Sequence, residues 1–214
     1  MGTKERILET ALRLFSQRGF TAVSVRDIAG EIGMRESALY RHFPSKQAVF
    51  DQLLKDYLAR SDAFMATINA LPTDDPGGIA ETAHIYQRLS DEDFLRIGGT
   101  VFTDFLMEPE VLMFWRMISI ERLRDTSLAL MWKEHLFDEP IAFQARLFAM
   151  LVKLGAVRAA DPEMLALEFY TPLLLLYLQA LPFEPDSAQA GYFMGLADRH
   201  MRHFRDTYTV REAG

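Results

Sequence analysis

The fold is decided by one stretch near the N-terminus, TAVSVRDIAGEIGMRESALYRHFPSK, which covers residues 21–46. Ser24 followed three residues later by Asp27 is typical of a helix start in which the two residues cap each other. A second short helix is expected over 35–42, because Pro44 forbids its continuation. Two short helices joined by a glycine-containing turn predict a helix-turn-helix.

The segments on either side of this stretch are also predicted to be helical. Apolar residues recur at helical spacing over residues 3–18, and Gly19 supplies a stop. Ser45 can cap a longer helix whose apolar stripe runs on to Leu71, before a cluster of turn-forming residues at 72–78. The sequence therefore predicts a three-helix N-terminal module followed by a long fourth helix.

Beyond residue 78 every periodic stretch has helical spacing, and none alternates with the period of two that a strand requires. Gly98-Gly99 is expected to bend its helix, and Pro172 is expected to kink the helix around it. The predicted fold class is therefore all-α. The helices predicted for this part of the chain cover residues 79–90, 91–106, 109–134, 140–155, 162–181 and 187–207.

Composition excludes several classes of protein. Half of the 214 residues are hydrophobic, which is enough for a well-filled core. Cysteine is absent, so disulfides, thiolate metal sites and cysteine nucleophiles are excluded. No apolar run reaches the ~20 residues needed to cross a bilayer, so we expect a soluble cytoplasmic protein without a membrane partner.

Charge is distributed unevenly along the chain. The net charge is -7, yet residues 1–46 hold eight Lys or Arg against five acidic residues. The remaining residues hold 15 basic and 25 acidic side chains. A locally basic module on an acidic body suits a protein that docks one end on phosphate groups and keeps its other end away from them.

Three groups of residues in this region, Thr21–Ala29, Gly33-Met34 and Ala38–Lys46, resemble the N-terminal signature of the TetR family of transcriptional regulators. The likeness runs without a gap over about residues 5–55, and the remainder agrees only in length and helical organisation. The resemblance implies a repressor that binds a palindromic double-stranded DNA operator as a homodimer. A small-molecule effector would release it from the nucleoid.

The resemblance also divides the chain. Residues 1–46 would form the helix-turn-helix DNA-binding domain, which continues into the fourth helix. Residues 47–214 would form a helical C-terminal domain that binds the effector and dimerises.

Candidate DNA contacts surround the second helix of the motif, which presents side chains to base edges while flanking groups hold phosphates. The resemblance places Tyr40, His42 and Lys46 at phosphate-binding positions, and Arg26 faces outward on the preceding helix. Ordinary packing or a solvated surface position is the alternative for each. The complete predicted set is Ser24, Arg26, Arg35, Glu36, Ser37, Tyr40, Arg41, His42 and Lys46.

Glu36 is unusual among these positions, because phosphate repels a carboxylate. It would be tolerated if it accepted a hydrogen bond from a cytosine amino group, or if it complemented the positive end of its helix. The sequence leaves both explanations open.

Methionine and aromatic residues are dense between residues 94 and 132. Most such residues form core, but they also line adaptable apolar pockets, and the resemblance implies one in this body. We therefore expect a mainly apolar or amphipathic effector. The candidate effector-binding residues are His84, Phe102, Phe105, Met113, Phe114, Arg116, Met117, Glu121 and Tyr170.

The run from Leu173 to Leu178 is apolar on every face, as in a helix covered by its own domain on one side and by a partner on the other. Members of the family pair their last two helices as a four-helix bundle. The resemblance thus implies a dimer interface formed by Leu167, Tyr170, Leu174, Tyr177, Leu178, Tyr192, Phe193 and Leu196.

Two other classes stay open at this stage. The protein can be a DNA-binding activator or architectural protein without a ligand, or a helical small-molecule-binding protein or enzyme. The enzymatic class is weakly supported, because the chain has no glycine-rich phosphate loop, nucleophile elbow or His-Glu-x-x-His helix. Asp198, His200 and His203 have a spacing that permits a metal site, but a solvated helix face is favoured. We expect no enzymatic activity, no cofactor and no metal.

Overall fold

Helices dominate the described residues of this computed structural model, which are 2–67, 107–184 and 187–210. One π-helical turn, Glu134–Asp138, and one isolated antiparallel bridge between Val157 and Thr209 occur among them. The all-α prediction is confirmed. The helices are α1 Thr3–Arg18, α2 Val25–Glu31, α3 Glu36–Leu39, α4 Lys46–Thr67, α5 Pro109–Glu121, α6 Thr126–Lys133, α7 Glu139–Lys153, α8 Pro162–Ala180 and α9 Ala188–Tyr208.

The third helix is shorter than predicted, because α3 ends at Leu39 instead of continuing to residue 42. The amide of His42 donates to the carbonyl of Leu39 at 2.9 Å, three residues back, so the chain tightens into a turn before Pro44. The predicted helices over 79–90 and 91–106, with the bend at Gly98-Gly99, lie outside the described residues.

The helix predicted over 109–134 is also wrong in one respect, because α5 ends at Glu121 and α6 begins at Thr126. A side-chain turn explains the break. Oδ1 of Asp125 accepts hydrogen bonds from the amide of Ser127 at 2.8 Å and from its hydroxyl at 2.6 Å, which starts a new helix. Pro172 lies inside α8, and the kink expected there stays a prediction.

Residues 1–63 and 109–132 form one compact unit. Its core consists of apolar side chains from the first four helices together with one face of α5, which packs against α1. Packing therefore assigns α5 and α6 to the unit that contains the helix-turn-helix. The functional boundary at residue 46 stays a prediction. Fully buried members of this core are Ile7, Phe15, Ile28, Leu39, Val49, Leu112, Trp115 and Ile118.

The second unit comprises residues 64–108 and 133–214, and its described helices are α7, α8 and α9. Their apolar faces meet around Phe148, Leu165 and Phe204. Nε2 of His200 donates a hydrogen bond to the carbonyl of Phe169 at 2.9 Å, which links α9 to α8. None of the helices that the structure describes is long and apolar enough to span a membrane.

Gly33 forms the turn of the helix-turn-helix. Its φ of 69° lies in the left-handed region that favours glycine. The amide of Gly33 donates to the carbonyl of Gly30 at 3.2 Å, and the amide of Met34 donates to that of Ala29 at 2.9 Å. This pair of bonds is a Schellman motif, which ends α2 and sets the direction of α3.

Gly19 is constrained more severely, at the junction of α1 and the loop to α2. Its backbone has φ 79° and ψ 157°, a region that residues with a Cβ rarely occupy. A Cβ at Gly19 would lie 2.7 Å from Oε1 of Glu121 and 3.0 Å from Cγ2 of Ile120. Any other residue here would strain the backbone and displace the Glu121 carboxylate.

We expect Gly19→Ala to lower the free energy of unfolding by about 1–3 kcal/mol, through backbone strain and the clash with Glu121. Gly30→Ala is the matched control, because nothing lies within 4 Å of its Cβ position in α2. That control should be neutral or stabilising by up to about 1 kcal/mol. Urea unfolding checks both, and equal stabilities for the two variants would contradict the constraint.

Candidate nucleic-acid interface

The start of α2 is fixed by the capping pair that the sequence predicts. Oγ of Ser24 accepts from the amide of Asp27 at 3.1 Å, and Oδ2 of Asp27 accepts from the amide of Ser24 at 2.7 Å. The Ser24 hydroxyl also donates to that carboxylate at 2.6 Å, and these bonds lower the pKa of Asp27. The capping prediction is confirmed. The Ser24 hydroxyl is engaged in this cap, and contact between Ser24 and DNA stays a prediction.

Around α3, six of the predicted DNA-contacting side chains are exposed. Tyr40 is 48% exposed, whereas the neighbouring Leu39 and Phe43 are buried beneath it. The side chains of Arg35 and Arg41 make no hydrogen bond or ion pair with any residue that the structure describes. The exposed residues of this patch, which we call the α3 patch, are Arg35, Glu36, Ser37, Tyr40, Arg41 and His42.

The other basic residues of the module hold it together. Nη2 of Arg13 pairs with Glu31 at 2.7 Å, and Arg6 donates to the carbonyl of Ile32 at 3.2 Å. Arg18 and Lys4 likewise contact neighbouring groups within the module. Arg26 is exposed but lies close enough to Asp27 to help lower the pKa of that carboxyl. Most of these basic residues therefore form contacts within the module. Arg35 and Arg41 of the α3 patch have no such contact with the described residues.

Lys46 also forms contacts within the module. Its Nζ donates to the carbonyls of Phe20 at 2.6 Å and Val23 at 2.7 Å, and it lies 4.2 Å from the centre of the Phe20 ring. Burial lowers the pKa of this ammonium, and nearby Glu121 and Asp27 oppose the shift. The structure thus gives Lys46 a role in holding the loop between α1 and α2. Its contact with phosphate stays a prediction.

Glu121 holds the same loop from the opposite side. This side chain is only 6% exposed, and its Oε1 accepts a hydrogen bond from the amide of Phe20 at 2.8 Å. This bond anchors α5 to the helix-turn-helix. The predicted role of Glu121 in orienting an effector stays a prediction. Sequence reasoning missed this anchor, because nothing local links residue 20 with residue 121.

A cleft of about 440 Å³ lies within the first unit and is lined by α1, α4 and α5. Two candidate effector residues, Met113 and Phe114, line it. The ring of Phe114 stacks on that of Tyr57, with centres 3.9 Å apart and planes 5° from parallel. The sequence did not predict that Tyr57 and the carboxylates line a cleft. Their spacing along α1, α4 and α5 is the same as that of residues on an ordinary exposed helix face.

Of the other effector candidates that the structure describes, none lines this cleft. Met117 is fully buried, Arg116 is half-buried, and the hydroxyl of Tyr170 donates to the carbonyl of Leu136 at 3.0 Å in the second unit. His84, Phe102 and Phe105 lie outside the described residues.

The predicted dimer-interface residues differ in exposure. Leu167 and Tyr192 are exposed, whereas Leu174 and Tyr177 are buried within the described chain. Tyr170, Leu178, Phe193 and Leu196 are half-buried. Met164 and Leu175, which sequence reasoning missed, are more than half exposed on α8.

The possible metal triad is not assembled. Asp198 accepts from Nε of Arg202 at 3.0 Å, and His200 is bonded to the Phe169 carbonyl. In the part of the chain that the structure describes, no group of three potential ligands is placed to hold a metal ion.

The fold and the α3 patch define an all-α protein with an N-terminal helix-turn-helix. A sequence model of the "Bacterial regulatory proteins, tetR family" matches residues 7–53. The transcriptional repressor KstR2 of Rhodococcus jostii (strain RHA1) is 40% identical over 57 residues, which are 27% of this chain and 28% of that protein. The chain spans less than a third of the curated relatives that it matches.

Similarity of fold extends over almost the whole chain. A putative TetR-family regulator from Mesorhizobium loti MAFF303099 has a TM-score of 0.59 at 21% identity, covering 97% of this chain and 96% of that one. A putative regulator from Saccharomonospora viridis, solved in complex with choline, has a TM-score of 0.58 at 21% identity, with 97% and 98% covered. Residues 7–53 therefore match the tetR family of bacterial regulatory proteins, and the fold of the chain is similar to that of solved regulators. These matches favour a regulator over the enzymatic alternative.

The division of basic residues can be tested on DNA that the protein selects from a random pool. We expect Arg41→Ala to weaken binding about tenfold or more, because its guanidinium is exposed and has no internal partner. Arg13→Ala, which removes the same charge from an internal ion pair, should stay within about twofold. Fluorescence anisotropy measures both, and equal losses would contradict the division.

Proposed function

We propose that this protein is a homodimeric transcriptional repressor that binds a palindromic operator through the α3 patch and is released by a small-molecule effector. The observation that carries the proposal is the set of uncommitted hydrogen-bond donors around α3, next to a turn that fixes the direction of this helix. Arg35 and Arg41 supply charge that no described partner neutralises. The match of residues 7–53 to the tetR family supports a regulatory role.

Phosphate and base contacts would be shared among these side chains. The Tyr40 hydroxyl and His42 imidazole are suited to donate to phosphate oxygens, while Arg35 and Arg41 can pair with phosphate or with the edge of a guanine. Glu36 occupies the first turn of α3 and is exposed, an arrangement that suits a cytosine contact and helix-end stabilisation equally well. Lys46 and Glu121 would act indirectly, by positioning α2 and α3.

Dimerisation would place two α3 patches on one side of the operator. Met164, Leu167 and Leu175 are exposed apolar side chains at helical spacing along α8, and Tyr192 is exposed on α9. An apolar stripe of this kind favours pairing across a two-fold axis. In the DNA-bound geometry the two recognition helices would lie in successive major grooves, about 34 Å apart.

An effector would act by favouring a dimer geometry that no longer fits the operator. The cleft supports this part of the proposal, because its volume falls within the range of small-molecule sites and its walls include α1 of the DNA-binding module. The choline bound to the similar fold from Saccharomonospora viridis also supports a small-molecule ligand.

The experiment that tests the proposal is binding to the DNA upstream of the protein's own gene, beside a scrambled duplex, over a series of salt concentrations. We expect sequence-selective binding that weakens steeply as the salt concentration rises. Each phosphate contact makes the slope of log K against log salt more negative by about 0.9. Tyr40→Phe keeps the ring and removes one donor, so it should weaken binding. Selection from random DNA that yields no preferred sequence would contradict the proposal.

A second measurement tests dimerisation. Leu175→Arg should yield folded monomers, because a charge replaces a side chain that is 55% exposed in the single chain and would be covered in the dimer. Leu130→Arg is the matched control, since Leu130 is 60% exposed on α6. Light scattering with size-exclusion chromatography reports the mass. A Leu175→Arg dimer as tight as the unaltered chain would place the interface elsewhere.

A further inference from the structure

The cleft between α1, α4 and α5 has an excess of negative charge. Four carboxylates line it, those of Glu5, Glu9, Asp56 and Glu110, against the single guanidinium of Arg60. Arg60 pairs with Glu110, so the positive charge of the lining is already matched. Glu5 accepts from the backbone amide of Gly2, and Asp56 accepts from the side-chain amide of Gln52, so neither bond adds a compensating charge.

Glu9 and Asp56 form no ion pair with any residue of the described ranges. Both are exposed and line the same cleft, so their like charges repel each other. A cation of matching size would remove that repulsion. An anion would add to it.

The interior of the cleft is apolar and aromatic. Leu8 and Met113 line it beside the stacked rings of Tyr57 and Phe114. The Tyr57 hydroxyl accepts from Nε1 of Trp115 at 3.0 Å, which fixes the orientation of the phenol ring. Burial raises the pKa of Tyr57 to about 12, so the ring stays neutral and contributes an apolar surface. Aromatic rings attract organic cations through their negative faces, whereas a small hydrated metal ion gains little from apolar walls.

We propose that this cleft is the effector site and that it takes an amphipathic organic cation, with its apolar body against Tyr57 and Met113 and its positive group toward Glu9 and Asp56. The regulatory meaning of the site rests on the proposed function. The class of ligand follows from charge and shape alone: carboxylates around the opening select the positive sign, and the aromatic interior selects an organic body of a size that fits about 440 Å³.

The test is calorimetric titration of the full chain with three quaternary cations of increasing size, tetramethylammonium, benzyltrimethylammonium and tetraphenylphosphonium. Phenylmethanesulfonate serves as an anion of similar size to benzyltrimethylammonium. Neopentylbenzene serves as the neutral compound in which carbon replaces the nitrogen of benzyltrimethylammonium. We expect at least one cation to bind, with affinity that falls as salt increases, and the anion to bind at least tenfold more weakly. Failure of all three cations, or equal binding of cation and anion, overturns the proposal.

Two variants locate the binding. Glu9→Gln with Asp56→Asn should weaken the best cation about tenfold, because two charges around the opening are lost while the shapes of the side chains are kept. Glu163→Gln removes an exposed carboxylate that does not line the cleft, and it should change the affinity less than twofold. An equal effect of both changes would show that the cation responds only to net charge, and it would overturn the site.

Operator binding is measured on the same samples, so that the two proposals can fail separately. If the protein binds its operator and no cation binds, the cleft proposal is wrong and the repressor proposal stands. If the best cation binds in the cleft and the protein shows no preferred DNA sequence, the site stands and the repressor proposal is wrong. Release of the operator by that cation, reduced in the double variant, supports both.

Discussion

The backbone of one residue, Phe20, connects three parts of the described N-terminal unit. Phe20 lies between α1 and α2, and its amide donates to the buried carboxylate of Glu121 while its carbonyl accepts from the ammonium of Lys46. The first partner comes from α5 and the second from the start of α4. Because a buried carboxylate is costly unless it is hydrogen-bonded, the Glu121 side chain is confined to this geometry. A Cβ on Gly19 would approach this carboxylate to 2.7 Å, so glycine is favoured at this position.

This clamp separates the residues that position the motif from the residues that can meet DNA. Arg13, Lys46 and the Ser24–Asp27 pair are engaged within the unit, so their charges and donors fix the orientation of α2. The side chains of the α3 patch point to solvent without described internal partners, and α3 itself is a single turn. A rigid support beneath a short exposed helix lets the protein present several donors with little loss of backbone freedom on binding.

The same unit also contains the cleft, so a ligand there would touch α1, α4 and α5 at once. These helices supply both arms of the clamp on Phe20. A ligand that binds more tightly to one arrangement of α5 against α1 would therefore act on the loop that orients α2. No separate relay would be needed, because the site and the loop share the same three helices.

The sequence alone determined the features that depend on neighbours a few residues apart. These include the capping pair at Ser24 and Asp27, the glycine turn, the all-α class and the extent of α1. Each depends on hydrogen bonds between residues within about one turn of helix, so the local sequence pattern predicts it. It misjudged the end of α3 and the break before α6, where short turns outweigh periodicity. Only the tertiary structure assigned Lys46 and Glu121 to Phe20 and gathered four carboxylates around one cleft. Those contacts join residues far apart in the chain, and which distant charges meet depends on how the helices pack.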